Sequence, residues 1–388
     1  MKTHRLAIIV ALAAAASPVA AQGTGTKVHS HAAVTAEVHA AMREAQVAVR
    51  EAVREAQSEI RAAQREALRS DIRAAARNSG WTARSWAEGQ ESRRGPEQTE
   101  RIARTFKVGA NGTLDLSNVA GDIVITEGGG DTISIEAIKR ARSRNGADAK
   151  DQLARTNVSM VERGGRVEVT TNYTGNRNHA SVDYTVTAPA GTAMNLKSVS
   201  GDIRITGIRG ELRAESVSGD VTATGAAGAS LVKSVSGDID VSAVATQTEL
   251  RAESVSGDVT VRSAKIRSLV AESVSGNLHL ADIVTERVSA KSVSGDVHYS
   301  GMVARGGRYN LTSHSGDIEL LVPQDAGFEL DARTFSGNVR SDLPLTMGGP
   351  GRETVRTSRD RGLRGTYGDA GALLSLSSFS GNIVVSKK

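Results

Sequence analysis

The sequence predicts an all-β protein, a parallel β-solenoid with about 18–21 residues per coil that follows a long amino-terminal α-helix. The motif Val-Ser-Gly-Asp recurs at a nearly constant spacing, which is typical of repeat architectures. Residues on both sides of each motif alternate between apolar and polar, as in strands with one buried face. Every copy carries the same turn residues, so every coil is expected to turn in the same direction.

The amino terminus predicts export. Two basic residues precede an apolar run from Leu6 to Ala16, and small residues follow as far as Ala21. This order is typical of a signal peptide over residues 1–21, so the mature protein is expected to be periplasmic, at the cell surface or secreted. Residues 22–34 are expected to be disordered. No later stretch approaches about 20 apolar residues, so no transmembrane segment is predicted.

The composition excludes several classes of protein. The chain has 388 residues and no Cys, which excludes a disulfide scaffold, a Cys-ligated metal centre and a lipid-anchored cysteine. With only 4 Phe, 5 Tyr and 2 Trp, the core must consist mainly of small aliphatic side chains. Loss of the signal peptide removes two basic residues and lowers the formal net charge from +5 to +3. Nucleic acid is therefore not an expected partner.

Residues 35–78 predict a long Ala/Arg/Glu helix, because they contain neither Gly nor Pro. The quartet Arg-Glu-Ala-Gln at Arg43 recurs 11 residues later at Arg54, and a related quartet begins at Arg65. This period gives a nearly straight apolar seam, as in a coiled coil. The helix is a candidate for self-association or for lying on an anionic surface, with a solvated spacer as the alternative. Residues 79–104 are predicted to be a linker.

The repeats span residues 191–341. Apolar residues two and four places after each Gly, such as Ile203 and Ile205, form one predicted inward face, and Met194 and Leu196 begin a second one before it. Charges four places before Gly change sign between most neighbouring copies, which favours ion pairs in a parallel register. A structural turn is predicted at each Gly-Asp pair. These pairs are Gly201 and Asp202, Gly219 and Asp220, Gly237 and Asp238, Gly257 and Asp258, Gly295 and Asp296, and Gly316 and Asp317.

Both ends of such a stack require caps, since open strand edges invite pairing with other chains. Residues 105–190 are predicted to form an amino-terminal β cap with a hairpin around Gly164 and Gly165. Residues 342–372 contain two Pro and many Gly and Arg, and are expected to form a loop insertion over the far end. Residues 373–388 are predicted to form the final coil.

Three motifs carry a family resemblance. They are the repeated Ser-Val-Ser-Gly-Asp, the block Leu-Asp-Leu-Ser-Asn-Val-Ala-Gly-Asp-Ile from Leu114, and the segment Tyr-Thr-Val-Thr-Ala-Pro-Ala-Gly from Tyr184. Together they resemble the bacterial putative-adhesin family of β-strand repeat proteins, a domain of unknown function. The resemblance covers residues 97–388 and implies an exported β-solenoid with no established enzymatic activity. The resemblance implies nothing about residues 35–78 or about the Arg-rich loop, because both depart from the repeat pattern.

The polar columns beside the turns offer weak candidates for chemistry. One carboxylate per coil supplies too few oxygens for calcium, so the Asp and Asn column is expected to cap turns by accepting hydrogen bonds from nearby backbone amides. The serines three places before Gly are expected to form a hydroxyl ladder between coils, since no copy has an adjacent base for catalysis. His279 and His298 share an outward column, but two imidazoles make a weak metal site. No catalytic residue, metal or cofactor is predicted.

A further column lies two places before Gly. It is composed of Val199, Val217, Val235, Val255, Val274 and Val293, and continues as His314, Phe335 and Phe379. Strict alternation places this column outside, whereas a bulge at the corner would turn it inward. We expect burial, because a row of exposed Val side chains would be prone to aggregation.

The sequence therefore favours an exported, non-enzymatic binding or structural module, with an envelope component, a surface polymer or a protein as partner. Two alternatives remain open. One is a polysaccharide-acting β-helix enzyme, which rests on fold analogy alone. The other is a periplasmic sensory or scaffolding protein that acts through residues 35–78.

Overall fold

The structure is a computed structural model that describes residues 97–143, 146–174, 180–346 and 361–388. All of these belong to one unit, Glu88–Lys388. The predicted signal peptide, the segment 22–34 and the helix at 35–78 lie outside the described residues. Within the described residues no helix is both long enough and apolar enough to cross a membrane.

The described residues are almost entirely β-strand, with one short helix. The chain begins with β1 (Glu97–Lys107), β2 (Thr113–Ala120), β3 (Ile123–Gly128), β4 (Thr132–Arg142), α1 (Gly146–Ala154), β5 (Thr156–Arg163), β6 (Arg166–Tyr173) and β7 (Ser181–Pro189). The repeats contribute β8 (Ala193–Ser200), β9 (Ile203–Thr206), β10 (Leu212–Ser218), β11 (Val221–Thr224), β12 (Ala229–Ser236), β13 (Ile239–Ser242), β14 (Glu249–Ser256), β15 (Val259–Lys265) and β16 (Ser268–Ser275). The chain continues as β17 (Leu278–Ser294), β18 (Val297–Ser315), β19 (Ile318–Val322), β20 (Phe328–Ser336), β21 (Val339–Ser341), β22 (Arg361–Tyr367), β23 (Ala372–Ser380) and β24 (Ile383–Lys387).

Two parallel ladders run through the repeats. One joins the strands that precede each corner Gly, through β8, β10, β12, β14 and β16, and the other joins the strands that follow it, through β9, β11, β13 and β15. Equivalent residues of neighbouring copies are partners, as Ala214 is with Leu196 and Val232. The predicted parallel register of the aliphatic columns is confirmed. β17 and β18 pass from one ladder into the other, so the strands form a single 24-stranded sheet that nearly closes around the core.

The inward columns form one continuous apolar core. The residues two and four places after each Gly are buried, as Ile203 and Ile205 are at 0% and 1% exposure. A second corner, six places after Gly, has left-handed backbone and carries no single residue type. The residue after it adds a third buried column, which sequence reasoning missed. This column contains Ile208, Ala226, Val244, Ala264 and Ile283.

The sheet has mixed strand orientation, which corrects the prediction of a purely parallel solenoid. At the amino-terminal end, β4 pairs antiparallel with both β1 and β7, and β5 pairs antiparallel with β6 as the Gly164-Gly165 pattern predicts. At the other end, β22 pairs antiparallel with β20. The physical reason is that a parallel stack leaves unpaired edges at both ends, and a strand that returns through a short turn covers such an edge.

The structure also differs from the sequence prediction at residues 97–104, which were expected to belong to the linker. They form most of β1, which pairs with β4 over 11 residues. Only Ile102 and Phe106 of this strand are half-buried, and the other side chains are exposed. Because both faces are largely polar, the strand lacks the alternation that would identify it.

The stacking order departs from the chain order at both ends. The coil of β2 and β3 lies between the coil of β6 and β7 and the coil of β8 and β9. The coil of β23 and β24 pairs on one side with β18 and β19 and on the other with β20 and β21. The coil at 373–388 is therefore the last in the sequence but the second to last in the stack.

Candidate interaction surface

The corner glycines allow the coils to approach closely. A Cβ atom on Gly219 would lie 2.2 Å from the carbonyl oxygen of Gly201, and one on Gly257 would lie 2.2 Å from that of Gly237. Real Cβ atoms essentially never come this close to another heavy atom. Gly257 does not have a positive φ. Contact between coils, more than backbone conformation, therefore accounts for Gly at this position.

The Asp and Asn column forms a hydrogen-bonded ladder along the stack. The backbone N–H of Asp220 donates to Oδ1 of Asp202 at 3.0 Å, and that of Asp258 donates to Oδ1 of Asp238 at 2.8 Å. Asn277 fits the same place, because its Oδ1 accepts from the N–H of Asp296 at 2.9 Å. Each side chain thus caps the turn of the next coil in the stack rather than its own. One oxygen of each carboxylate is used in this way.

The buried serines three places before Gly form a second ladder. Ser254 donates from Oγ to the carbonyl oxygen of Gly237 at 3.1 Å, and Ser273 donates to that of Gly257 at 3.1 Å. These bonds join neighbouring coils, as the sequence predicts, and their acceptors are backbone carbonyl oxygens. Ser216 is an exception, because its buried Oγ has no hydrogen-bond partner in the structure.

The column two places before Gly lies at the surface, exposed at most positions and half-buried at Val235 and Val274, so the expectation of burial is wrong. Val199, Val217, Val255 and Val293 are 42–49% exposed, while the serine before each of them is buried. The alternation of the strand continues to the corner, so the Ser points inward and the Val outward. We call this row the corner ridge. In stack order it consists of Val119, Val199, Val217, Val235, Val255, Val274, Val293, His314, Phe379 and Phe335.

The corner ridge ends in a stack of three rings. The rings of His314 and Phe379 have centroids 4.8 Å apart, and those of Phe379 and Phe335 are 4.9 Å apart. The rings are nearly parallel, with interplanar angles of 12° and 7°. This spacing is that of hydrogen-bonded strands, so the register of the ladder sets the stacking. Sequence reasoning placed these residues in one column but missed their order, because Phe379 stacks between two residues that precede it in the chain.

The corner ridge holds most of the exposed apolar side chains of the described residues. Of the 11 large hydrophobic side chains that are exposed there, seven belong to it. The other four, Val161, Val284, Met302 and Leu373, lie elsewhere. Scattered exposed hydrophobics are ordinary in proteins, but a contiguous row marks an interaction surface.

Carboxylates follow the corner ridge on one side. Seven coils carry an Asp directly after the corner Gly, and Arg204 pairs with two of them, Asp202 at 2.7 Å and Asp122 at 3.9 Å. On the other side of the ridge, three Lys and three Glu share one column, and Lys233 pairs with Glu253 at 3.3 Å. This second flank is nearly neutral, so the field beside the ridge is dominated by the Asp row.

His279 and His298 lie on another face, among the residues three places after Gly. Their rings are stacked, with centroids 5.1 Å apart, and Nδ1 of His298 lies 2.9 Å from Oε2 of Glu319. Across residues 97–143, 146–174, 180–346 and 361–388, no group of three or more His, Asp or Glu side chains is arranged to hold a metal ion. The cluster is explained by stacking and one hydrogen bond.

Several tyrosines lie inside the core. Burial raises the pKa of Tyr184 to about 12, against a hydrogen bond with Thr171 that lowers it. The two hydroxyl oxygens are 2.6 Å apart. Burial also raises the pKa of Tyr299 well above its ordinary value, and the ring packs edge-on against Tyr309. These hydroxyls are neutral at physiological pH and serve the core.

The family model described as Toastrack DUF4097 matches residues 111–386 of the chain, which include the ladders and the corner ridge. No curated protein shows a significant sequence match.

The solved structures to which the chain is similar share little sequence identity with it. A putative adhesin from Bacteroides fragilis shares 13% identity over 74% of this chain and 97% of its own, with a TM-score of 0.36. A putative cell adhesion protein from Clostridium sporogenes shares 10% identity over 75% of this chain and all of its own, with a TM-score of 0.23. A putative lipid binding protein from Parabacteroides distasonis shares 10% identity over 74% of this chain and 96% of its own, with a TM-score of 0.36.

Proposed function

Since the chain belongs to the Toastrack DUF4097 family, a domain of unknown function, we propose that it is an exported, non-enzymatic β-solenoid module of the adhesin type. In this proposal it acts in the periplasm, at the cell surface or after secretion. It binds an envelope or surface component through the corner ridge. The observation that carries the proposal is the concentration of seven exposed hydrophobic side chains in one straight row.

The shape of the corner ridge favours an elongated partner. Its side chains repeat at about 4.8 Å along the stack, and ten coils contribute to it. A straight row offers many small contacts in line, which suits a partner that binds over its length rather than at one point. The turn column of Gly and Asp residues serves in this proposal as structure, because it holds successive ridge residues in register.

The Asp row specifies the chemistry of the partner. Asp220 and Asp238 are both exposed, and each uses one carboxylate oxygen in the ladder, so the other oxygen faces solvent. No ion pair within the described residues neutralises them. A partner with apolar groups in line and cations beside them would complement both features. We therefore expect a cationic amphipathic segment of an envelope protein.

The test uses the mature chain, residues 22–388, and two synthetic amphipathic helical peptides, one of Leu and Lys and one of Leu and Glu. We expect the Leu/Lys peptide to bind, with an affinity that falls as salt is raised, and the Leu/Glu peptide not to bind. The ridge variant V217T/V255T should bind the Leu/Lys peptide several-fold more weakly. The matched control V161T/V284T changes two exposed Val outside the ridge, each 37% exposed, and should bind normally.

Two results would contradict the proposal. One is equal binding of both peptides, which would indicate non-specific adsorption. The other is an equal loss of binding in the ridge variant and in the control. Thermal unfolding of all variants establishes that the surface, and not the fold, has been changed.

A further inference from the structure

β1 is an edge strand whose outer side has no strand beside it in the described residues. Its 11 residues pair with β4 on one side only. Helix α1 contacts both β1 and β4, and its buried Ala149 and Leu153 pack with Ala141 of β4. An 11-residue strand is long, and its unpaired N–H and C=O groups form a template for another strand.

The sequence of β1 is complementary to itself when it is reversed. In an antiparallel pair of two copies centred on Ile102, Glu97 faces Lys107 and Glu100 faces Arg104. Each of these contacts occurs twice across the two-fold axis, which gives four pairs of opposite charge. Thr99 faces Thr105, a combination that is also favourable across strands.

Neighbouring registers lack this complementarity. A pair centred on Arg101 places two arginines opposite each other, and a pair centred on Ala103 contains no pair of opposite charge. The other antiparallel edge at this end, β5, pairs only with β6. In two-fold pairs of β5 centred on Ser159 or on Met160, Glu162 faces Thr156 or Val158, and no opposite charges meet. Of the edges and registers compared, β1 centred on Ile102 has the complementary pattern.

Arg104 is the charged residue of β1 that is free to meet such a partner. Glu97 and Glu100 already pair with Arg142 and with Lys139, the latter at 3.2 Å, and Lys107 pairs with Asp131 at 3.3 Å. Arg104 has no ion pair within the described residues, although it is exposed in the middle of the strand. A second copy would supply the carboxylate of Glu100 to it.

We propose that two copies of this chain associate through β1, which pairs antiparallel with β1 of the second copy about a two-fold axis at Ile102. The two sheets then become continuous across the interface. The occupant is a second copy because the charges of β1 match those of the reversed strand. This interface is separate from the corner ridge and does not depend on the proposed function.

The first test measures the mass of the mature chain by light scattering and its dissociation constant by sedimentation. We expect a dimer, and we expect Arg104→Glu to weaken it at least about tenfold, because two attractive contacts with Glu100 become repulsive. The matched control is Arg163→Glu, which changes an exposed arginine on β5. It should leave the dimer unchanged. A monomeric wild type would overturn the proposal. A dimer that persists in R104E would also overturn it, and this is the result expected if the chain dimerises through residues 35–78 instead.

The second test determines the register by cross-linking. The chain contains no Cys, so a single introduced Cys has no competitor. A mixture of Thr99→Cys and Thr105→Cys proteins should form a disulfide between copies, and each protein alone should form much less. Equal cross-linking in the mixture and in the separate proteins, or none in a protein that dimerises, would contradict the proposed register.

Discussion

The substitution Gly257→Ala tests how much the close contact between coils contributes to the free energy of unfolding. A Cβ atom at this position would lie 2.2 Å from the carbonyl oxygen and 2.6 Å from the carbonyl carbon of Gly237, and 3.0 Å from Oδ1 of Asp238. The nearest atoms belong to the backbone of a neighbouring coil, so no side chain can rotate away. The two coils must separate by about 1 Å, a degree of overpacking that typically costs about 1–3 kcal/mol.

The separation also weakens the ladder beside the corner. The N–H of Asp258 donates to Oδ1 of Asp238 at 2.8 Å, and Oγ of Ser254 donates to the carbonyl oxygen of Gly237 at 3.1 Å. Each such bond contributes about 1 kcal/mol. Together with overpacking, we expect Gly257→Ala to lower the free energy of unfolding by about 3–5 kcal/mol.

The assay is denaturant unfolding followed by circular dichroism, with Gly129→Ala as the matched control. Gly129 is exposed in a turn, does not have a positive φ, and a Cβ atom there would meet no atom within 4 Å. Both substitutions restrict the unfolded chain equally, and this effect alone should raise the stability of the control by a few tenths of a kcal/mol or more. If G257A unfolds at the same denaturant concentration as G129A, close contact between coils does not explain the glycine column.

Three further predictions concern the ladders and the core. Ser254→Ala should lower the free energy of unfolding by about 1 kcal/mol in denaturant titration, whereas Ser216→Ala should be neutral or stabilising because its hydroxyl lacks a partner. Asp238→Ala should lower the melting temperature because the N–H of Asp258 loses its acceptor. Asp238→Asn should keep the melting temperature of the unchanged protein. Addition of a calcium chelator should not shift the melting temperature of either variant. The raised pKa of Tyr184, about 12 in the folded state against 10.0 in the unfolded chain, should make stability fall between pH 10 and 12, since the unfolded chain loses this proton first. Tyr184→Phe should flatten that dependence in unfolding measured at pH 9 and pH 11.5, and an unchanged slope would contradict it.

The repeats could be predicted from the sequence because each coil repeats the physical constraints of its neighbours. The inward columns beginning at Ile203 and Leu196 are visible as alternation, and a parallel register follows from identical turns. The second corner could not be predicted, because Gly207 and Asp282 reach the same left-handed conformation with different residues. Its signal was the buried residue after it, which repeats only loosely as Ile, Ala or Val.

The sequence identified the residues of the candidate surface, but the direction in which their side chains point was predicted wrongly. Alternation alone predicted an exposed Val column, and the expectation of burial came from the risk of aggregation. The order of His314, Phe379 and Phe335 depends on a coil that enters the stack out of sequence, and no local pattern reports it. The sequence did not predict β1. This edge strand has charges on both faces, so it shows neither the two-residue period of a half-buried strand nor the 3.6-residue period of an amphipathic helix.

The interleaved coil at the far end has a consequence for how the protein is made. Strands β20 and β21 form contacts in the stack with β23 and β24, which leave the ribosome after them. Synthesis in the amino-to-carboxyl direction can build the earlier rungs one at a time, but this end must wait until residues 372–387 have emerged. A chain cut short before Ala372 would therefore have two unfinished rungs and a ring stack without its middle member.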